Sequence, residues 1–356
     1  MDATEILLKE LTEASGAPGR EEEVAALMEK RLKSLATVSY DKLGSIIAEK
    51  RGSSKEPRVM IAGHLDEVAF MVTEIAKEGY IRFLPLGGWW GHVALAQRVR
   101  IMTRKGMVRG VVGSKAPHVL PEDERRKVLE IGQLFIDVGC QDKFDVKKRL
   151  GIEVGDVIIP ESSFEIMANK DMYLAKAFDN RIACAAVIDI LAGLKKTGHP
   201  NTVYGVGTVQ EEVGLRGAGT AAYQVDPDVA IALDVTVARD TPGMTPPGEA
   251  VGKGPVIIVY DGSHIPNFKL RTLVQETARS IKVPVQFGAL ERGGTDAGRI
   301  HLTRRGVPVM ALAIPTRYIH SHAAMLSRRD YDHWIKLMVA VIRRLDARTV
   351  KGLTRG

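Results

Sequence analysis

The sequence predicts an α/β fold, a mainly parallel sheet flanked by helices, interrupted by an inserted, barrel-like all-β domain. Three features of the 356 residues carry that prediction. From Ala175 onward, strand-like and helix-like segments alternate, as in a largely parallel sheet covered by helices. From Val68 to about Glu165, short alternating segments separated by glycine turns read as all-β. The apolar run RVMIAG, ending at Gly63 just before that stretch, reads as a buried strand of the first sheet. The β-rich stretch is therefore an insertion. Residues 1–66 and 166–356 form the α/β domain, and 67–165 the insert.

Taken in order, Ile6, Leu7, Leu8 and Leu11 recur at helical spacing until SGAPG breaks the pattern. A second helix follows over EEEVAALMEKRLKSL, whose three opening acids suit the positive end of a helix dipole. Within the insert, YIRFL, RVRIM, MVRGVVG, LFIDVG and DVIIP read as strands, and MTRKGMV contains a hairpin turn. Beyond it come a helix over RIACAAVIDILAGLKK, closed by Gly198 and Pro200, then strands VYGVGTV and VAIAL. Helix FKLRTLVQETARSI, strand VPVMALAI and a last helix, YDHWIKLMVAVIRRL, complete the chain. The segments DTPGMTPPGEAVGKGP and PEDERRKVLE read as surface loops.

Composition narrows the function classes. With 45% hydrophobic and 26% charged residues, the chain is a folded protein rather than a disordered one. The longest apolar run, IACAAVIDILAGL, is interrupted by Asp189 and too short to span a bilayer. The N-terminal segment lacks the basic start and apolar core of a signal peptide, and Cys140 and Cys184 lie far apart without a CxxC pair. A cytoplasmic protein with reduced thiols and no membrane partner is expected. The net charge of +7 raises the alternative of a nucleic-acid-binding protein. The basic segments RKVL, RVRIM and TRRG carry no interleaved aromatics or recognised motif, so no nucleic-acid partner is expected.

The acids and histidines fall in a pattern. His64 and Asp66 follow RVMIAG, Glu211 and Glu212 follow VYGVGTVQ, Asp234 follows VAIAL, and His320 lies beyond VPVMALAI. Each lies just past a strand's C-terminal end, where open α/β sheets build their sites. Any one of them could be a solvated loop residue; together they suggest a site. In GHLDE, the i, i+2 spacing lets the Asp66 carboxylate accept a hydrogen bond from His64, either to orient a metal ligand or merely to support a turn. The adjacent Glu211 and Glu212 would repel each other unless a dication reversed that balance. Asp179, opening a helix in AFDNR, could equally be an N-cap. Histidine and carboxylate donors without cysteine favour zinc, cobalt or manganese over a structural thiolate site.

The ordered motifs SGAPGREEEV, GHLDEV, AFDNR, TVQEEVGLRGA, ALDV, GGTDAG and PTRYIHSHAAM resemble those of the tetrahedral aminopeptidases, the family that includes glutamyl and deblocking enzymes and some members once labelled endoglucanases. The resemblance covers nearly the whole chain. It implies a zinc-exopeptidase-like domain with two divalent ions per subunit, zinc or cobalt. Asp179 would bridge them, His64 and Asp234 would complete one site, and Glu212 and His320 the other. It implies Glu211 as general base, Asp66 as the partner of His64, and a strained peptide after Asp179. Gly293, Gly294, Thr295 and Asp296 would lie beside the substrate, although a plain turn is the alternative there. GGWW followed by QRV matches the entry to the family's insert, with Trp89 and Trp90 read as core or interface. The insert would mediate dimerisation, and six dimers would close into a tetrahedral dodecamer.

The expected activity is removal of N-terminal residues from short peptides, with a lean towards neutral aliphatic ones. A metal-dependent deacylase or carboxypeptidase on the same sheet is the alternative, and a non-catalytic scaffold a third. Here 115 positions (179 minus 64) separate the first two proposed ligands and contain the insert, which favours the aminopeptidases. Of the two histidines in HSH, His320 fits the YxHS pattern, leaving His322 as a structural neighbour. His264 could approach the site or serve as a cap or surface residue. His92, His118, His199, His301 and His333 match no motif.

Overall fold

A computed structural model describes residues 1–246 and 248–354. The chain opens with helix α1 (Ala3–Glu13), where Asp2 and Glu5 form a reciprocal capping box, and continues into α2 (Glu22–Leu32). A hairpin of β1 (Thr37–Tyr40) and β2 (Ile46–Arg51) leads to β3 (Arg58–His64). The insert then contributes β4 (Ala69–Ile75), β5 (Ile81–Leu86), the one-turn helix α3 (Gly91–Ala94), β6 (Arg98–Thr103) and β7 (Gly106–Gly113). The one-turn helix α4 (Glu122–Arg125), β8 (Phe135–Asp137) and β9 (Val157–Pro160) complete it. Return to the α/β domain is through β10 (Glu165–Ile166), β11 (Met172–Ala175) and α5 (Phe178–Thr197), then β12 (Thr202–Thr208), α6 (Arg216–Val225) and β13 (Val229–Val237). Last come β14 (Val256–Tyr260), α7 (Phe268–Ser280), β15 (Gln286–Ala289), α8 (Ala297–Ile300), β16 (Val309–Thr316), β17 (Ala324–Ser327), α9 (Arg328–Arg344) and α10 (Ala347–Leu353).

Eight strands form the main sheet in the order β1-β2-β12-β3-β13-β16-β14-β15. Its centre is parallel (β12 with β3, β3 with β13, β13 with β16), while β1, β2 and the β14–β16 pairing are antiparallel. Alternate residues of the central strands face opposite layers, as strand geometry requires. Val59, Ile61, Ile231, Leu233 and Leu312 pack against the α1, α2, α5 and α9 side. Met60, Ala62, Ala230, Ala232 and Ala311 pack against α6 and α8, where Ala218, Ala221 and Ala222 keep that layer close. A Cβ on Gly63 would lie 2.5 Å from the Ala183 side chain, so this glycine lets α5 approach the end of β3.

The insert closes as a barrel, β4-β5-β8-β7-β6-β9, filled by Phe70, Val72, Ile81, Phe83, Val99, Ile101, Val112, Ile136 and Ile158. The predicted hairpin is the β6–β7 connection, which turns at Gly106 with φ of 117°. The α/β fold with an inserted barrel is the architecture the sequence predicts. Strands β1, β2, β4, β10, β11, β14, β15 and β17 and helices α3, α6, α8 and α10 lie beyond the segments that the sequence pattern marks. Thr37–Tyr40 is almost wholly exposed, so it shows no alternation, and β15 and β17 are four residues each. Within PEDERRKVLE, Glu122–Arg125 form an exposed helical turn instead of an irregular loop. No described helix is long and apolar enough to cross a membrane.

Candidate active site

The C-terminal edge of the sheet gathers the acids and histidines. His64 ends β3, Asp234 lies in β13, Glu211 and Glu212 follow β12, and His320 follows β16. Asp179 does not act as an N-cap. The N-cap position of α5 is Ala177, the Asp179–Asn180 peptide bond is cis, and the Asp179 carboxylate faces two imidazoles. Oδ1 lies 3.2 Å from His64 Nε2, and Oδ2 lies 3.2 Å from His320 Nε2. Two groups of potential metal donors result, His64–Asp179–Asp234 and Asp179–Glu212–His320, each with its donor atoms within 4.8 Å of one another. Glu211 belongs to neither, yet its Oε2 is 3.8 Å from His64 Nε2.

Each imidazole is aimed from behind. His320 Nδ1 donates to the Gly88 carbonyl at 2.7 Å, so the loop between β5 and α3 orients a histidine 232 positions away. His64 is backed by Asp66, through both its main-chain carbonyl and its carboxylate. The nearer acceptor for Nδ1 is the Asp66 main-chain carbonyl at 3.1 Å, with carboxylate Oδ1 at 3.5 Å. That carboxylate also accepts the Glu211 N–H at 2.9 Å and the Glu212 N–H at 3.0 Å, because two consecutive amides offer it matched donors.

A cavity of about 450 Å³ opens over these groups. Gly293, Gly294 and Thr295 line it with Val235, Val237 and Leu290. Asp296, the next residue, is not part of that lining. It is buried and accepts a hydrogen bond from Thr208 Oγ1 at 2.5 Å, because the chain turns inward there to begin α8. His264 also stays behind the wall, buried 2.6 Å from the Asp261 carboxylate. His322 meets the Arg98 carbonyl at 3.0 Å, and burial pushes its pKa down to about 4. Trp89 stacks on Phe70 and donates to the Ala69 carbonyl, whereas Trp90 is 61% exposed.

This cluster buries several carboxylates against one another. Burial raises the pKa of Glu211 and of Asp234 well above the carboxylate range, and it raises Glu212 to about 8, with Asp179 adding repulsion. Burial would lower both histidines. For His64, the charges of Glu211, Asp179 and Asp66 overcome it and raise the pKa well above the usual value. For His320, Asp179 and Glu212 do the same, raising it to about 10. Asp179 is held below the usual range, its burial outweighed by hydrogen bonds from the two imidazoles. Each ring has one nitrogen on a carbonyl oxygen and the other on a carboxylate, and Glu212 Oε1 is buried without a hydrogen-bond partner among the described residues. Nitrogen and oxygen donors converging on shared acids, with Nε2 of each histidine inward, fit divalent ions.

Comparison with known proteins agrees with this geometry. The family model described as M42 glutamyl aminopeptidase matches residues 44–337. The structure of a TET aminopeptidase from a marine-sediment Thaumarchaeota archaeon is 46% identical, with 99% of each chain covered and a TM-score of 0.96. Lysyl aminopeptidase of Pyrococcus furiosus is 36% identical, with 95% of this chain and 96% of that protein covered. The TET1 peptidase of Pyrococcus horikoshii, described as able to assemble into a tetrahedron or a large octahedral shell, is 29% identical, with 96% and 100% coverage and a TM-score of 0.86. The chain belongs to the M42 peptidase family and is a metal-dependent aminopeptidase.

Proposed function

We propose that the protein removes N-terminal residues from short peptides, using two divalent ions and Glu211 as general base. The observation that carries this is the pair of donor groups sharing Asp179, with Glu211 beside His64 and part of neither group. His64, Asp179 and Asp234 would hold one ion, and Asp179, Glu212 and His320 the other. Zinc or cobalt suits these donors. When bound, such ions supply Lewis-acid polarisation of the scissile carbonyl and lower the pKa of water. Glu211 takes the proton of the attacking water and returns it to the departing amine. Asp66 fixes the backbone of Glu211 and Glu212, and Gly88 fixes the ring of His320.

Val235, Val237, Leu290 and Ile319 give the cavity apolar wall, which supports neutral aliphatic N-terminal residues as preferred substrates. The test is a panel of leucyl, glutamyl and lysyl chromogenic substrates, with free and blocked N-termini, on chelated enzyme to which single metals are restored. Chelation is expected to abolish turnover, and zinc or cobalt to restore it on free leucyl substrates. Turnover of blocked substrates alone would point to a deacylase, and no turnover with any metal would overturn the assignment.

Residues 67–165 are proposed as the dimerisation module of a tetrahedral dodecamer, a reading supported by the assemblies described for the Pyrococcus horikoshii relative. Val111, Val119, Val128 and Phe144 of this insert are exposed and offer apolar contact area. Light scattering of the same preparation checks it, since a 38.8 kDa monomer would rule the assembly out. A cytoplasmic location is supported by the two free cysteines.

Gly88 gives a sharper test of the proposed ligand set. A Cβ there would lie 3.1 Å from His320 Nδ1, tight enough to shift the ring by a few tenths of an ångström against the Gly88 carbonyl. Gly88→Ala is expected to weaken binding at the His320 site by about 10- to 100-fold, as loss of an orienting partner does, and to spare the His64 site. Metal titration of the metal-free protein would show one affinity class shifted. Two unshifted classes would remove Gly88 from any positioning role.

A further inference from the structure

The segment Val209–Glu212, which carries the base and one proposed ligand, is held from both sides. The carbonyls of Val209, Gln210 and Glu211 accept from the N–H groups of Gly217, Arg216 and Leu215 at 2.9, 3.2 and 2.8 Å. On the other side, the Glu211 and Glu212 amides donate to Asp66. The amide of Gln210 donates to Glu21 Oε1 at 3.1 Å, across 189 positions of sequence. Three consecutive amides thus face two buried carboxylates. Glu21 is only 5% exposed, and although it occupies the N-cap position of α2 its side chain makes no capping bond. Its Oε1 also accepts the Gly19 N–H at 2.8 Å, which ties it to the turn before α2. Gln210 has φ of 55°, a left-handed conformation that a side-chain-bearing residue holds only when its surroundings enforce it.

We propose that Glu21 is a positioning residue for catalysis: by accepting the Gln210 amide it holds the backbone from which the Glu211 carboxylate projects. This rests on the reading of Glu211 as general base. Glu21 neither lines the cavity nor belongs to either donor group, so its removal should misplace the base without removing a ligand. A misplacement of that kind lowers kcat and leaves substrate binding nearly unchanged.

The experiment compares Glu21→Ala, Glu21→Gln and Glu21→Asp with Glu211→Gln, measuring kcat, KM, bound metal and melting temperature. Glu21→Ala is expected to lose about 10- to 100-fold in kcat, with metal content unchanged and KM nearly so. Glu21→Gln keeps an oxygen at the same reach and should recover kcat to within about threefold of wild type. Glu21→Asp keeps the charge but shortens the reach, and should remain impaired; this variant decides the matter if the alanine protein does not fold. Wild-type kcat in Glu21→Ala or Glu21→Asp overturns the inference, as does a loss in Glu21→Gln equal to that in Glu21→Ala. A kcat loss matched by loss of metal overturns it too. If Glu211→Gln itself stays active, the base assignment fails; if only the Glu21 variants stay active, that assignment survives and the role of Glu21 does not.

Discussion

Glu211→Gln is expected to lower kcat by about 10²- to 10⁴-fold, the usual contribution of a general acid or base, with metal content close to wild type. The change is nearly isosteric and leaves the Glu211 backbone N–H on Asp66 Oδ1 untouched, so the loop keeps its anchor. It removes the ability to accept a proton and nothing else the site requires. Because Glu211 falls outside both donor groups, elemental analysis should find both ions still present. Glu212→Gln offers the contrast, since Glu212 is within 3.6 Å of His320 Nε2 and its substitution should cost an ion. Near-wild-type turnover in Glu211→Gln would remove it from the mechanism, and metal loss there would move it into the ligand set.

How much of this was legible in the sequence depends on the range of the interaction. Strand-end placement made His64, Asp66, Glu211, Glu212 and Asp234 visible as a group, because a parallel sheet gathers the ends of its strands at one edge. Asp179 lies at the start of a helix and was separable from an N-cap only by the resemblance of its motif. Contacts that depend on tertiary folding left no periodic trace. Glu21 read as one of three acids at a helix start, yet it reaches Gln210. Gly88 lies in the insert and orients His320. Lys176, Glu67 and Arg181 would ordinarily read as solvated charges, but all three are buried. Lys176 Nζ lies 2.6 Å from Glu67 Oε1, while Arg181 donates to the carbonyls of Leu65 and Gly16 at 2.6 and 3.1 Å. That ion cluster joins the loop after His64 to the segment bearing Asp179. A charge with an internal partner cannot be told from a solvated one by residue type alone.

Asp179→Asn is expected to lose both ions, where Asp234→Asn loses one. The difference follows from position. Asp179 presents one oxygen to each histidine at 3.2 Å, whereas Asp234 belongs only to the His64 group. Asparagine has one oxygen and one NH₂, so it can offer a donor atom to only one of the two groups, and it removes the negative charge both would share. Local structure should survive, because the neighbouring Asn180 is fixed independently through its side-chain N–H to the Leu233 carbonyl at 2.9 Å. Circular dichroism should therefore be unchanged while turnover falls below detection. Elemental analysis discriminates the arrangements: full metal content in Asp179→Asn would mean that the acid lies beside the ions without joining them. Loss of a single equivalent would assign it to one group and leave the other to be held by its remaining two donors.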